Sequence, residues 1–375
     1  RHTAALFNPG IQTVANDEIT GYAQGAGTKL VALDSAGGVT HNVVIGAHPL
    51  FQQSAMRAGA TASGTISVTA EADFASSDNS ITLTGTSTGG FSVLKVGATI
   101  KVSGAADAGN NGFLTVASVE SADKITVFQD LTDATDDDAE IEYSIQTTGS
   151  TLISMAAEHA YTNLSSDLVK LINGMVVKTW TFSAPLRGLV TGKFDTINIS
   201  QAESAASLED QSDYGAATAA ANDILNSTSN LQFMALRPRN DDGTYGAAIS
   251  QTFSNIDFSL DNASKYTDAI AEGLYPIGIT QGDVDITITL KAYYRSKDMF
   301  EQAIASGKLG LFFAMTDGTV ADGNCKFFAM PVMDIENYQY DETKKGEDGM
   351  ATLTLKSRRD TLTGESLIIS EHLAS

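Results

Sequence analysis

Apolar and polar residues alternate most regularly in residues 283–294, DVDITITLKAYY. One face would carry Val284, Ile286, Ile288, Leu290 and Ala292, and the other Asp283, Asp285, Thr287, Thr289 and Lys291. A period of two predicts a β-strand with one buried and one solvated face. The pattern therefore places one strand of a half-buried sheet in this segment.

The apolar spacing becomes helical directly after that strand, in residues 295–308. Ser296 is suited to the N-cap, Asp298 to the first turn and Gly307 to the C′ position. The apolar stripe at helical spacing consists of Phe300, Ala303 and Ile304. We predict a short helix that flanks the strand.

The order of strand, helix, strand and hairpin occurs twice in the chain. Near the N-terminus, a strand is followed by a helix that has Pro49 near its first position. The corresponding segments are 38–59 and 283–308, 151–158 and 309–316, and 174–200 and 325–357. We interpret this order as an internal duplication, with a first repeat in residues 1–61 and 148–200 and a second repeat in residues 232–375.

Residues 62–147 interrupt the first repeat between its helix and its next strand. Six runs in this segment are typical of strands: 64–72, 80–85, 98–104, 112–120, 124–129 and 139–145. Their spacing predicts a small all-β sandwich or barrel, Ig-like or similar. The segment has 13 acidic residues and three lysines, so it carries −10 of the formal charge of −22. We expect an inserted domain that decorates the outside of the molecule.

Residues 201–231 lie between the two repeats and are rich in Ala and Ser. They predict a linker or a long loop, with a helical turn fitting residues 215–226. Loops of this length in compact proteins are usually functional or contact a partner.

Composition supports a mainly β chain with more than one domain. The 375 residues exceed the size at which a single core stops growing. The formal charge of −22 argues against binding nucleic acid through phosphate contacts, which need clustered Lys and Arg. Nucleic acid could still pass an acidic wall without sticking, because such a wall repels phosphates.

Two short motifs invite a chemical interpretation. GTSTG, residues 85–89, has the G-x-S-x-G pattern, but Ser87 lacks the following helix that a nucleophile elbow requires, so a hairpin turn is favoured. DDDAE, residues 136–140, has oxygens at alternate positions, but Ile141 stands where an EF-hand needs Gly. A solvated acidic loop is favoured over a calcium site.

The remaining candidate residues give no catalytic, cofactor or metal site. The histidines are His2, His41, His48, His159 and His372, and none has metal-ligand spacing. His41 is predicted to be a structural residue on a strand. The single cysteine, Cys325, lies in a strand-like run and is predicted to be a buried, inert thiol. GAGTK, residues 25–29, lacks the spacing of a phosphate loop.

The sequence has no run of 18 apolar residues, and no signal peptide is recognised. The first residue is Arg1 rather than Met. We expect that some N-terminal residues can precede it.

The stretch NGMVVKTWTFSAPLRGLVTGKFDTINIS resembles a signature of the siphophage tail tube proteins, the major tail proteins of long non-contractile tailed bacteriophages. Its matching positions are Trp180, Val190, Thr191, Gly192 and Phe194. The C-terminal segments KAYYRSKDMFEQAIASGK, GNCKFFAMPVMDIENYQ and MATLTLKSRRDTLTGESLIIS are similar to the same family, and so is the inserted β module around residues 91–119.

The resemblance implies a duplicated β-sandwich or half-barrel in which each repeat has one short flanking helix. It implies that copies join their sheets laterally into rings, and that the rings stack into a tail tube around the tape measure protein. Tail terminator and distal tail proteins would close the ends, and double-stranded DNA would later pass without specific binding. The protein would be a virion component, assembled in the host cytoplasm, and not an enzyme.

Two further expectations follow from this resemblance. Duplication favours a trimeric ring with pseudo-sixfold symmetry over a hexamer, and deletion of residues 62–147 should leave assembly intact if the insertion is external decoration. The alternative function is a secreted or surface adhesin or binding module, which shares the β content, the acidity and the lack of a catalytic motif.

Overall fold

The computed structural model confirms a mainly β chain with few helices. It describes residues 2–15, 28–59, 61–67, 71–85, 89–161, 168–204, 222–249, 251–270, 273–294, 297, 300–302, 305, 307–318, 323–341 and 348–373.

The N-terminal part of the chain contains a hairpin, a helix and four further strands around the insertion. These elements are β1 (His2–Ala15), β2 (Thr28–Asn42), α1 (Pro49–Met56), then the inserted β3 (Ala62–Ser67), β4 (Ala72–Ala75), β5 (Ser80–Leu83), β6 (Thr99–Ser103), β7 (Gly112–Val119), β8 (Lys124–Val127), β9 (Ala134–Asp137) and β10 (Glu140–Thr147), and then β11 (Met155–Tyr161), β12 (Leu168–Pro185), β13 (Thr191–Asn198) and β14 (Ser200–Ser204).

The C-terminal part contains nine described strands, two of which form a small separate sheet. Its strands are β15 (Leu231–Arg239), β16 (Phe253–Asp261), β17 (Lys265–Thr267), β18 (Gly278–Thr280), β19 (Asp285–Tyr293), β20 (Lys308–Thr316), β21 (Cys325–Tyr340), β22 (Met350–Ser357) and β23 (Ile368–His372).

Eight strands form one continuous antiparallel sheet in the order β1–β2–β13–β12–β16–β19–β22–β21. The strand predicted at 283–294 is β19, and its burial alternates residue by residue as its sequence does. The buried face of this sheet contributes Trp180, Phe194, Phe258, Ile288 and Leu355 to the largest core cluster.

A second layer covers the buried face of the sheet. It consists of β15, β20, the first half of β21 and β23, which pair side by side. Phe313 of β20 and Phe328 of β21 stack at 4.8 Å in the same core, and Met56 of α1 packs there too. The long strand β21 bends between the two layers, so the fold is a β-sandwich.

The two halves of the chain have the same strand pairing. β1–β2–β13–β12–β11 in the first half corresponds to β16–β19–β22–β21–β20 in the second. Irregularities also recur at matching places: the β12–β13 ladder shifts at Lys178 and the β21–β22 ladder shifts at Glu336. β-bulges are conserved, specific features of a fold. The occurrence of a bulge at the same place in both halves therefore supports an internal duplication.

A second pair of bulges occurs at matching places in the two halves, and the bulged residue makes the same hydrogen bond in each. Thr3 interrupts the β1–β2 ladder and its hydroxyl donates to the Thr40 carbonyl at 3.0 Å. Ser254 interrupts the β16–β19 ladder and its hydroxyl donates to the Lys291 carbonyl at 3.2 Å. Thr3 and Ser254 therefore hold equivalent positions in the two repeats.

Each repeat has a helix after its second strand. Pro49 occupies the first turn of α1, as the sequence predicts. In the second repeat, residues 300–302 are helical, and the amide of Glu301 donates to the Lys297 carbonyl at 2.8 Å. The φ of Gly307 is not left-handed, so this glycine does not form the expected C′ turn. The predicted positions Ser296, Asp298, Ala303 and Ile304 lie outside the described residues.

The insertion forms two small sheets that share β7. One sheet is β3–β10–β6–β7, and the other is β7–β8–β5–β4–β9. The six predicted runs overlap β3, β5, β6, β7, β8 and β10. Two strands are additional: β4, with the sequence ADFA, and β9, with the sequence ATDD. The latter has four residues. Its apolar content is too low for a strand pattern, which is why the sequence does not reveal it.

The insertion shares its core with the second repeat. Its buried cluster includes Phe312, Ala329 and Ile368 of the second-repeat strands. β10 pairs with β23, and the His372 ring lies 3.0 Å from the Thr99 carbonyl. The inserted strands are therefore packed against the sandwich rather than suspended from it.

The predicted linker at 201–231 is described only at its two ends. β14 extends to Ser204 and pairs with β12, and β15 begins at Leu231. The predicted helical turn at 215–226 lies mostly outside the described residues.

Candidate assembly surface

The sheets of the two repeats join at the ladder between β12 and β16. Seven residue pairs form this internal junction, from Thr179 opposite Asp261 to Pro185 opposite Asn255. On its buried side, Phe258 stacks on Phe182 with ring centroids 4.7 Å apart. Trp180 and Phe182 are 5% and 4% exposed. These side chains of the internal junction are therefore as fully buried as those of the core.

A buried polar contact fixes the end of the internal junction. Asn262 follows β16 and its side-chain amide donates to the carbonyls of Val177 and Ala55, both at 3.0 Å. Arg57, at the C-cap of α1, donates to the Asn262 side chain at 3.0 Å and to its carbonyl at 2.7 Å. This contact holds the helix of the first repeat against the first strand of the second.

The sheet has one free edge on β21. Residues 335–340 pair with β22 on one side, and no described strand pairs with them on the other. The aromatic side chains there are half exposed: Tyr340 and Tyr294 are each 44% exposed and Phe300 is 37% exposed. Tyr338 and Tyr340 correspond to the buried Trp180 and Phe182 of the first repeat, as counted from the shared bulge.

The other free edge is β1, which pairs with β2 alone among the described strands. Phe7 is buried against Ile172 and Met175, whereas Leu6, on the opposite face, is 64% exposed. Pro9 lies within this edge strand and has no N–H to offer. Proline in sheets is largely confined to edge strands, which agrees with this position.

The face of the sheet opposite the core is polar. It presents Thr40, Thr179, Thr181, Ser183, Thr191, Lys193, Asp195, Asn255, Asp257, Ser259, Asp261, Asp285, Thr287, Thr289, Lys291, Thr352, Thr354 and Lys356, which register across neighbouring strands. We call this set the polar face.

The lysines of the polar face are paired with carboxylates. Lys193 lies 2.7 Å from Asp195, and Lys356 lies 2.6 Å from Asp285. Lys291 lies 2.6 Å from Asp341, which follows β21. The face is therefore close to neutral, and much of the acidic excess lies in the insertion instead.

The two short motifs from the sequence do not form a site in the described structure. Ser87 of GTSTG lies outside the described residues. In DDDAE, Asp137 is buried and accepts hydrogen bonds from the Ala106 amide at 3.1 and 3.2 Å. Asp137 thus supports a loop of the insertion. Within the described ranges, no group of three or more His, Cys, Asp or Glu residues could hold a metal ion.

The structure brings together two histidines that look unrelated in sequence. The rings of His41, at the end of β2, and His48, before α1, have centroids 4.7 Å apart. His41 also stacks on Phe194 at 5.1 Å and is 5% exposed. The tight turn between strand and helix creates this contact, and the sequence spacing alone gives no signal for it.

We expect the stability of the fold to decrease in mild acid because of His41. Burial and, secondarily, His48 lower the pKa of His41 from 6.5 to about 4. The unfolded chain then binds the proton more tightly, so stability is lost as the pH falls from 6.5 towards 4. The free energy of unfolding should decrease by about 3 kcal/mol over this range. Urea titrations at several pH values measure it.

The variant His41→Phe is the matched control for this pH effect, because it keeps an aromatic ring against Phe194. Its stability should depend less on pH, with a remaining slope from His372, whose pKa is also lowered by burial. An unchanged slope in this variant would contradict the assignment.

Cys325 is buried in β21. Burial raises the pKa of its thiol, and a hydrogen bond with Thr316 opposes the shift. A higher pKa leaves less of the reactive thiolate at neutral pH. None of the helices in the described part of the chain is long and apolar enough to cross a membrane.

Fold and surface together define a β-sandwich protein whose main sheet, in the described residues, has one free edge on β1 and another on β21. The family model for phage tail tube proteins matches residues 3–355. The chain belongs to the phage tail tube protein family, and it is a structural component of a phage tail. The search of curated proteins gives no significant match.

Proposed function

We propose that copies of this chain associate laterally through their free sheet edges into rings that stack as the phage tail tube. The single observation that supports this most is the internal junction, in which two repeats already join their sheets edge to edge. Strand pairing between copies would satisfy the backbone groups of β1 and of residues 335–340. In this proposal the protein has no enzymatic role.

The ring contains three chains in this proposal. Each chain supplies two repeats and eight sheet strands, so three chains give a pseudo-sixfold ring. We propose two repeats, residues 1–61 with 148–200 and residues 232–375. Residues 62–147 are the inserted domain in this proposal, and residues 201–231 are a linker or inter-ring loop.

The polar face lines the channel in this proposal, because the opposite face is covered by the second layer. Hydroxyl-rich strands whose lysines are already paired offer few free cations to phosphates. Double-stranded DNA could then move through the channel without specific binding. The tape measure protein would occupy the channel before DNA, and tail terminator and distal tail proteins would bind the ends, with assembly in the host cytoplasm.

Negative-stain electron microscopy of the purified chain, together with native mass spectrometry, tests this function. We expect tubes or stacked rings, and a ring mass of three chains. Six complete chains in a ring would contradict the trimeric ring but not the tube. A chain that stays monomeric at high concentration would contradict the tube itself and favour a binding module.

A further inference from the structure

We propose that the free edge of β21 binds β1 of a second copy of this chain, in the register in which β12 binds β16 within the chain. This inference rests on the proposed lateral assembly and adds the strands and the register through which it occurs.

The equivalence of the repeats determines the register on the β21 side. Thr179 and Asn337 are equivalent, because each is the first paired residue after its bulge, at Lys178 and Glu336. β16 lies beside β12 on the side away from β13, and the same side of β21 is the free one. The free edge of residues 335–340 therefore has the same place in the second repeat as the occupied edge of β12 has in the first.

The equivalence of β1 and β16 determines the other side. Gly10 lies opposite Asp34 and Asp261 lies opposite Asp285, each the same number of residues from its bulge. In the internal junction Asp261 pairs with Thr179. The transferred register places Asn337 opposite Gly10, Tyr338 opposite Pro9, Gln339 opposite Asn8 and Tyr340 opposite Phe7 of the second copy.

The exposure of aromatic side chains supports a strand at this position independently. Phe182 is 4% exposed, with Phe258 of β16 stacked on it and Phe328 of the second layer 5.2 Å away, whereas its equivalent Tyr340 is 44% exposed. Phe7 is the β1 residue equivalent to Phe258. An arriving β1 would thus place Phe7 against Tyr340, as Phe258 lies against Phe182, and cover the exposed aromatic group.

The chemistry of the edges fits a second copy as the occupant. The side chains of these four pairs are uncharged, and the next pair would place Asp341 opposite Leu6, so no like charges oppose one another. Pro9 leaves one carbonyl without a ladder partner, a loss of one hydrogen bond. The contact is head-to-tail, which generates a closed ring when the rotation per copy allows closure.

Cysteine pairs in the full chain test the register. Residues directly opposite in an antiparallel pair have Cα atoms about 4.5–5.5 Å apart, within the range that a disulfide spans. Gln339→Cys combined with Asn8→Cys should form disulfides between chains, giving dimers and trimers on a non-reducing gel under mild oxidation. Thr181→Cys with Ser259→Cys is the equivalent pair within one chain, and it should form an intramolecular disulfide.

The displaced pair, Gln339→Cys with Gln12→Cys, is the negative control, since four residues shift the partner by about 13 Å. We expect crosslinking of the register pair to be at least about tenfold faster than that of the displaced pair. Tubes that form without the preferred crosslink, while the intramolecular control oxidises, would overturn the register and leave the tube function standing. Failure of the unmodified chain to associate at all would overturn both.

Discussion

Replacement of residues 62–147 by a short linker is expected to give insoluble or aggregated protein rather than an assembling core. The insertion covers a large apolar surface of the second repeat. Phe128 packs on Phe312 at 5.0 Å, and Phe113 packs on Phe327 at 5.1 Å. A Cβ atom on Gly97 would lie 3.0 Å from Ala329, which shows how closely the two surfaces fit.

The expected energy loss is comparable to the whole stability of a domain. Exposure of a buried phenylalanine costs about 1.5–3 kcal/mol, and Phe312, Phe327 and Ile368 would all lose their cover. Net stabilities are about 5–15 kcal/mol, so the truncated chain would be marginal. Soluble yield and size-exclusion chromatography measure the effect.

A second truncated variant tests whether the loss of solubility is caused by the apolar surface that the truncation exposes. Phe312→Ser with Phe327→Thr in the truncated chain should restore part of the solubility. Truncated chains that remain soluble and form tubes without these changes would show that the insertion is dispensable decoration, as the sequence alone suggests.

The variant Asp360→Ala is expected to lower the free energy of unfolding by about 3–5 kcal/mol. Asp360 accepts a hydrogen bond from Arg239 at 3.0 Å, and the two side chains are only 4% and 3% exposed. Arg239 also lies over the Tyr245 ring at 4.5 Å. Removal of the carboxylate leaves a buried guanidinium without its anion, which is the costly half of a buried pair.

Chemical denaturation measures the free energy of unfolding of this variant, and an exposed ion pair serves as the control. Asp334→Ala removes the carboxylate near Arg358, 3.6 Å away and about half exposed, and should cost at most about 1 kcal/mol. The double variant Arg239→Met with Asp360→Leu should recover much of the stability. A similar loss in Asp334→Ala and Asp360→Ala would contradict the role of burial.

Much of the fold could be predicted from the sequence because its strands alternate clearly. The pattern of residues 283–294 predicts β19, and the recurrence of strand, helix and hairpin agrees with the matching strand pairing of the two halves. The bulges at Thr3 and Ser254 could not be predicted, because a bulge is one extra residue among many that fit a strand. They become visible only when the register of both repeats is known.

The free sheet edges are harder to predict from the sequence than the strands themselves. Tyr340 and Phe182 both read as apolar positions of a strand, yet one is half exposed and the other buried. The difference depends on which strands and side chains pack against each residue, which is a property of tertiary structure. In the same way, the contact of Phe113 with Phe327 joins residues far apart in sequence, so the packing of the insertion against the sandwich was missed.

The covalent link between the repeats changes how a ring would assemble. A junction within one chain forms at an effective concentration set by the chain, of the order of millimolar, so it does not depend on the amount of protein made. Only every second junction then needs an encounter between molecules. The two kinds of junction are also free to differ: Trp180 and Phe182 occupy the one that is always closed. In the proposed ring, Tyr338 and Tyr340, whose hydroxyls tolerate water, would occupy the junction that forms between molecules and is exposed to solvent until then.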